Sequence, residues 1–278
     1  MTSISSTLTS KQLLFVGGGN MASAIVGGLL QQGLAAAQIR VVEPYEPQRE
    51  VLLQKFGVDA RGSMSADWKD CDLVVWAVKP QTFKEAALTC SAHTQGALHL
   101  SVAAGIRTGS MAQWLGTDRI VRAMPNTPAL VGLGMTGLFA RKGCTEADSE
   151  LAQQVVGTTG EYVWLQQETD LDAVTALSGS GPAYVFYFLE AMRQAGTDMG
   201  LNPDTALALA IGTFKGAATL AQNSPESPEV LRERVTSKGG TTYAALTSME
   251  ASGVKAAFVK AMHAAHLRAQ ELGDEFGK

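Results

Sequence analysis

Leu13-Leu14-Phe15-Val16 is apolar at every position, and comparable short runs return at Ile39 to Val42, Leu73 to Val78, Leu98 to Ala103 and Ile120 to Met124. Such runs, bounded by polar residues or glycine, predict strands covered on both faces. Between them the spacing becomes helical, over Met21 to Gln32, Gln48 to Phe56 and Phe83 to Thr89. Strands alternating with helices predict an α/β fold of Rossmann type, doubly wound around a mainly parallel sheet. Met135 to Ala140 and Tyr162 to Leu165 add two strands, with a helix over Thr145 to Val156 between them. Thr145 suits the cap of that helix, and the acidic residues after it suit the positive end of the helix dipole.

Beyond about residue 168 the strand pattern stops and alanine and leucine fill long helical windows, so the chain divides near Gln167 into residues 1–167 and residues 168–278. Helices are predicted from Pro182 to Met199, ended by Gly200, and from Pro203 to Ala221, opened by Asn202-Pro203-Asp204. A short helix runs from Ser227-Pro228-Glu229 to Val235, and a last one from Val254 to Glu271. The helix from Pro203 carries Leu207, Leu209, Ala210, Ile211, Phe214, Ala217 and Leu220, which cover most of its circumference. A helix apolar on so many sides needs several neighbours, which predicts that the helical halves of two copies interlock.

Composition narrows the partners. Of 278 residues, 46% are hydrophobic and 17% charged, enough for a large core, and the net charge of −4 leaves no basic field for nucleic acid or a membrane surface. Small molecules are the expected partners. Met1 to Ser10 is hydroxylic, without a positive start or a long apolar stretch, and predicts no signal segment. Cys71, Cys90 and Cys144 are odd in number and lack metal spacing, which fits a reducing compartment and a cytoplasmic protein.

The strand at Leu13 to Val16 runs into Gly17-Gly18-Gly19-Asn20-Met21-Ala22. Gly17 can take a turn that side chains resist, Gly19 lets the backbone approach a pyrophosphate, and Ala22 lets the helix lie close to the strand. The helix start then offers open amides to phosphates. Three further segments interrupt the elements and are candidates for the crevice at the strand ends: Ala77-Val78-Lys79-Pro80, Met124-Pro125-Asn126-Thr127-Pro128 and Ser178-Gly179-Ser180-Gly181-Pro182-Ala183-Tyr184. Pro80 holds Lys79 extended, and the flanking prolines stiffen Asn126-Thr127.

His93 and His99 flank or enter a strand, and His263 and His266 sit one turn apart on the last helix without a third ligand at matching spacing. The sequence thus presents no histidine dyad, no Ser-His-Asp order and no metal cage. Carbonyl reduction needs a strong acid at the oxygen, whereas an imine nitrogen can be protonated before hydride arrives. Ser237 and Gly239-Gly240-Thr241-Thr242 suit that lesser demand, with amides for a carboxylate and hydroxyls at the positive end of a helix. A capped helix start without a ligand would read the same in isolation.

Taken in order, GGGNMA, AVKPQ at Ala77 to Gln81, SVAAGI at Ser101 to Ile106, RAMPNTPALVGLG at Arg122 to Gly134, SGSGPAY from Ser178 and the GGTT run from Gly239 make a specific set. The chain resembles pyrroline-5-carboxylate reductase from Leu13 to Leu272. The resemblance implies a nucleotide-binding domain followed by an all-helical dimerisation domain, and reduction of 1-pyrroline-5-carboxylate to L-proline, usually with NADPH. It implies that Gly17, Gly19, Asn20, Met21 and Ala22 hold the pyrophosphate, that Ala77, Val78, Lys79 and Pro80 touch the cofactor further along, and that Asn126 and Thr127 stand near the nicotinamide. Ser237 and the amides of Thr241 and Thr242 would bind the substrate carboxylate, and the Thr242 hydroxyl would meet the ring nitrogen as the one catalytic side chain.

Two departures stand out: Lys238 replaces a proline of the family's substrate loop, and Met64 stands where many members carry an asparagine for the cofactor ribose. Glu43 ends the second strand, where an acidic group binds a ribose 2′-hydroxyl and repels a 2′-phosphate, so NADH is an alternative to NADPH; Arg40 and Arg49 lie close enough in sequence to compensate. A β-hydroxyacid dehydrogenase shares the layout, but its catalytic lysine has no counterpart, since no lysine occurs between Lys142 and Lys215. A dinucleotide-sensing module without turnover is the non-enzymatic alternative, against which Ser237 and Thr242 speak.

Overall fold

The computed structural model describes residues 8–68 and 70–277, so most of the Met1 to Ser10 stretch lies outside the described residues. The chain forms two compact units: one is built on the sheet, reaches Ser180 and includes the chain end from Ala265, and the other is Gly181–Ala264.

In the first unit the strands are β1 (Leu13–Val16), β2 (Ile39–Val42), β3 (Asp59–Arg61), β4 (Leu73–Trp76), β5 (Leu98–Ser101), β6 (Ile120–Met124), β7 (Gly134–Ala140) and β8 (Gly160–Trp164). They form one sheet in the order β3-β2-β1-β4-β5-β6-β7-β8. All pairs are parallel except β6 with β7. The five predicted strands before residue 130 are all present, but β4 stops at Trp76 and β5 at Ser101, short of the expected Val78 and Ala103. Those released residues form the loops at the carboxyl edge. The helices are α1 (Asn20–Gln31), α2 (Glu46–Phe56), α3 (Pro80–Cys90), α4 (Thr108–Leu115), α5 (Glu146–Val156) and α6 (Asp170–Val174).

The helices follow local rules. Thr145 caps α5 through a reciprocal pair: its hydroxyl accepts from the Asp148 amide at 3.2 Å, and Asp148 accepts from the Thr145 amide at 2.9 Å. Pro80 opens α3 in the first turn, where its missing N–H costs nothing, so the helix begins three residues before the expected Phe83. The two faces of the sheet are filled by separate apolar clusters, one around Phe15, Val41 and Leu100, the other around Trp76, Phe83 and Ile106.

Among the polar side chains buried in this unit, His99 and Arg122 are the two largest. His99 is 1% exposed, and its Nδ1 accepts from the Trp76 indole N–H at 3.0 Å. Burial, reinforced by the positive charge of Arg119, pushes the imidazole down to about 4. An unfolded chain takes up this proton near the ordinary histidine value of about 6.5, so the stabilisation is present above that pH and is lost as pH falls toward 4. Chemical unfolding at pH 7 and pH 4.5 should differ by up to roughly 3 kcal/mol more in the wild type than in His99→Gln; equal pH dependence in both proteins would remove the assignment. Arg122, the second group, is 2% exposed and donates to Glu168 at 3.1 Å.

Glu168 also accepts from the Thr108 amide and hydroxyl, both at 2.6 Å, and Leu171 is fully buried. Residues 168–180 are therefore packed with the sheet, and the compact units part at Ser180. The chain end is held by Ser110, whose hydroxyl donates to the Gly277 carbonyl at 2.7 Å, and by Arg107, which pairs with Asp274 at 3.2 Å.

The second unit is helical: α7 (Gly181–Asp198), α8 (Pro203–Gln222), α9 (Pro228–Arg234), α10 (Thr241–Ala251) and the start of α11 (Val254–Phe276). Asn202 caps α8 by accepting from the Asp204 amide at 2.9 Å. α7 and α8 touch through small residues, and a Cβ on Gly196 would stand 2.7 Å from that of Ala206. Phe258 meets Tyr184 edge-on and Phe188 at a tilt, with ring centroids 5.7 and 5.6 Å away. Large apolar side chains nevertheless stay outside, Leu209 at 58%, Leu220 at 68% and Phe186 at 58% exposure. Among the described residues, these apolar side chains are left uncovered.

Candidate active site

Strand β1 lies between β2 and β4, the place where the strand order reverses, and the loops leaving β1 and β4 at their carboxyl ends open a crevice there. The Gly17 amide donates to the Val42 carbonyl and the Ala77 amide to the Val16 carbonyl, each at 2.8 Å, which fixes the loop roots. Gly17 has φ +96°, and a Cβ on it would stand 2.6 Å from the Ala77 carbonyl oxygen. Gly19 is the opposite case: a Cβ there would meet nothing within 4 Å. It caps α1 without a side-chain partner, and the first helical bond runs from the Ser23 amide to the Gly19 carbonyl at 2.9 Å. The amides of Asn20, Met21 and Ala22 are left at the open helix end, while the Ala22 side chain is fully buried. This backbone cradle fits a pyrophosphate.

A cleft of about 480 Å³ extends from this loop, lined by Gly17, Gly19, Ala77, Val78 and Lys79 among others. Asn20, Met21, Ala22 and Pro80 adjoin it without lining it. Lys79 is the extended residue before α3, at φ −66° and ψ 147°. Met64 lines the cleft together with Gly62 and Ser63, residues beyond β3. Sequence reasoning missed β3, because Asp59-Ala60-Arg61 is too short and too polar to read as a strand. It also missed Thr82 and Ala86 of α3, which line the cleft one turn apart; their spacing four residues apart, just beyond AVKP, is the only signal they give.

Glu43 is held firmly at one end of the cleft. Its carboxylate accepts from the Gly18 amide at 2.8 Å and the Tyr45 amide at 2.9 Å. Gln48 donates to the Gly18 carbonyl at 2.6 Å, and Arg49 donates to the Glu43 and Pro44 carbonyls at 3.0 and 2.7 Å. Neither Arg40 nor Arg49 lines the cleft.

Asn126 and Thr127 do not line it either. The Asn126 side chain is committed at both ends: its amide donates to the Ser178 carbonyl at 3.0 Å, and its oxygen accepts from the Met135 amide at 2.9 Å. Thr127 opens a short 3₁₀ turn, Thr127–Val131, that packs beside α1. The Ser178-Gly179 stretch, expected to interrupt the elements, is instead helical: Thr175–Gly179 forms a π turn that joins α6 to α7. Gly179 makes room for Met124, whose methyl would lie 2.7 Å from a Cβ at that position.

The second unit carries the other group of candidate residues. Gly239, at φ +75°, turns the chain after Ser237, and the Gly240 amide donates to the Ser237 carbonyl at 3.0 Å. α10 then starts at Thr241 with no side-chain cap, and its first bond runs from the Ala244 amide to the Gly240 carbonyl. The amides of Thr241, Thr242 and Tyr243 are open. Most threonines of these helices donate back to the fourth residue before them, as Thr213, Thr219 and Thr247 do. The hydroxyls of Ser237, Thr241 and Thr242 have no such partner among the described residues. A cluster of free hydroxyls and amides at a positive helix end can hold a carboxylate. No three His, Cys, Asp or Glu side chains gather as metal ligands among the described residues.

A crevice at the switch point of a doubly wound sheet, with an open helix start, defines a dinucleotide-dependent oxidoreductase. Residues 12–105 match the family described as NADP oxidoreductase, coenzyme F420-dependent, and residues 168–272 match pyrroline-5-carboxylate reductase dimerisation. The chain is 42% identical to the pyrroline-5-carboxylate reductase of Pseudomonas aeruginosa over 98% of its own length and 100% of the relative's. Among solved structures it is similar to the Coxiella burnetii pyrroline-5-carboxylate reductase, at TM-score 0.88 and 37% identity over 94% of this chain and 98% of that one. The Plasmodium falciparum enzyme, solved with NADP bound, superimposes at TM-score 0.85 with 27% identity over 95% of this chain and 99% of that one.

The chain belongs to the pyrroline-5-carboxylate reductase family. It is an NAD(P)H-dependent enzyme that reduces 1-pyrroline-5-carboxylate to L-proline, the last step of proline biosynthesis, and it self-associates.

Proposed function

We propose that the first unit binds the dinucleotide through Gly17, Gly19, Asn20, Met21, Ala22 and the Ala77 to Pro80 loop, with NADPH as the donor and NADH as the alternative. Asn126 and Thr127 act at the nicotinamide end in this reading, Asn126 by fixing backbone rather than by offering its own amide. Ser237 and the amides of Thr241 and Thr242 bind the substrate carboxylate, and the Thr242 hydroxyl hydrogen-bonds the ring nitrogen. The single observation that carries the substrate assignment is the unpartnered set of hydroxyls and amides at the start of α10.

The chemistry asks little of these side chains. The nicotinamide, when bound, supplies the hydride. A cyclic imine is basic enough to arrive protonated, so the chain has to hold the ring, neutralise its carboxylate and steady the N–H, without supplying an acid. Thr242 does the last of these, and Lys238, exposed in the same turn, adds a positive charge for the carboxylate.

Thr242→Ala should lower kcat about a hundredfold while NADP⁺ affinity stays within about threefold. Loss of nicotinamide absorbance with pyrroline-5-carboxylate measures the first, and calorimetric titration the second. Turnover equal to wild type would remove the role. Self-association runs, on this reading, through the helical unit, whose exposed Leu209, Leu220 and Phe186 call for a second copy. Three free cysteines support a cytoplasmic setting, and among the described residues no helix is long and apolar enough to cross a membrane.

A further inference from the structure

The end of the chain belongs to the same compact unit as the sheet and packs on the loop after β5, residues 102–107. That loop stands in line with the two that form the cradle. The Gly17 amide on Val42 and the Ala77 amide on Val16 are followed along the carboxyl edge by the Val102 amide, which donates to the Trp76 carbonyl at 3.0 Å. A doubly wound sheet takes one nucleotide on each half, so the loops after β4 and β5 belong to the nicotinamide side. Ala103 and Ile106 are buried in the cluster around Trp76 and Phe83, while Val102 and Ala104 are only half-buried.

Residues 272–277 hold this loop and the helix after it at three places. Gly105, at φ +73°, lies so close to them that a Cβ would stand 3.3 Å from Leu272 and from the Phe276 ring. Arg107 ends the loop with its guanidinium between Asp172 at 3.7 Å and Asp274 at 3.2 Å. The same guanidinium lies 2.9–3.0 Å from where a Cβ on Gly273 would be. Ser110, in the first turn of α4, donates to the Gly277 carbonyl at 2.7 Å. A glycine inside a helix is less stable than alanine there, so Gly273 answers to Arg107 and not to the helix.

We infer that residues 272–277 are a positioning element of the cofactor site, gripped through Arg107, and that they hold the loop after β5 in the shape that receives the nicotinamide half of the dinucleotide. A loop that turns on glycine has many shapes open to it unless something packs against the turn. The chain end removes that freedom before the cofactor arrives, so binding does not have to order the loop. The other nucleotide, held at the glycine loop after β1, does not depend on these contacts. The inference rests on reading the crevice as the dinucleotide site.

Gly273→Ala in the full-length chain is the test, because it favours the helix and yet pushes the Arg107 guanidinium out of place. Dissociation constants of NADPH and of 2′-phosphorylated ADP, which carries no nicotinamide, are measured by calorimetry without substrate. The ratio Kd(NADPH)/Kd(2′-phosphorylated ADP) should rise about fivefold, with the fragment binding within about twofold of wild type. Phe276→Ala uncovers Gly105 from the same side; it should raise the ratio likewise and carries the test should alanine at 273 disturb folding. A rise of less than about twofold in either folded variant overturns the inference, whether both constants stay put or both weaken together as a merely structural contact would make them. A wild-type enzyme that binds neither ligand overturns the reading of the crevice itself, and the inference with it.

Discussion

Alanine at position 17 is expected to cost the fold about 4 kcal/mol and to weaken dinucleotide binding at least about a hundredfold. Two effects add. Gly17 sits at φ +96°, where an L-residue loses about 1–2 kcal/mol from its own backbone contacts. The new Cβ would also stand 2.6 Å from the Ala77 oxygen, 2.8 Å from its carbon and 3.0 Å from the Val78 nitrogen, all backbone atoms that have no rotamer to escape into. The loops after β1 and β4 must therefore separate, and these are the two loops that form the cradle. Gly19→Ala is the control. Its Cβ meets no protein atom within 4 Å and its φ of −70° suits alanine, so stability should hold within about 1 kcal/mol while cofactor affinity falls, because the methyl takes space that a pyrophosphate needs. Urea unfolding and NADPH titration of both variants decide the matter: a Gly17→Ala protein as stable as wild type would mean that the β1 and β4 loops yield.

How far the sequence revealed this arrangement can be followed residue by residue. The central strands announce themselves because a strand buried on both faces is apolar throughout, as Leu73-Val74-Val75-Trp76 is, with no exposed position to dilute the pattern. β3 escapes because it is an edge strand of three residues whose side chains are half-exposed or exposed. α4, Thr108–Leu115, escapes for a different reason: its Gly109 and Ser110 read as loop, and the burial of Met111, Trp114 and Leu115 becomes visible only with the sheet in place. The glycine turn was legible because backbone geometry constrains glycine positions, and Gly17 at φ +96° is such a position. The use of Asn126 was not legible. A polar residue between two prolines reads as a ligand-facing group, yet both ends of its side chain are taken up, by the Ser178 carbonyl far along the chain and by the Met135 amide nine residues on. The Ser178-Gly179 stretch escaped in the same way, since serine and glycine suggest a loop while the chain there forms a π turn with Gly179 against Met124. Local rules identify what touches backbone nearby, and long-range partners decide the rest.

Glu168→Ala should destabilise the protein by about 4 kcal/mol, more than a surface ion pair could account for. Arg122 is 2% exposed, and burial pushes its guanidinium down while Glu168 holds it up. Glu168 is the partner that makes this tolerable, and the same carboxylate accepts from the amide and hydroxyl of Thr108 at the start of α4. Removing it leaves a buried cation with only Asp172 nearby, a carboxylate already shared with Arg107 at 3.7 Å. Arg122→Met in the Glu168→Ala background takes the stranded charge away and should recover about half of the loss. That coupling, measured by urea unfolding of the four proteins, separates a charge that needs a partner from a packing defect, which the second substitution would deepen. Glu168 also anchors the segment that continues through α6 into the π turn, whose Ser178 carbonyl is the acceptor for Asn126. If the double variant regains stability but the nicotinamide-dependent turnover stays low, the carboxylate has a second task in holding that segment in register; if both recover together, charge compensation is its whole role.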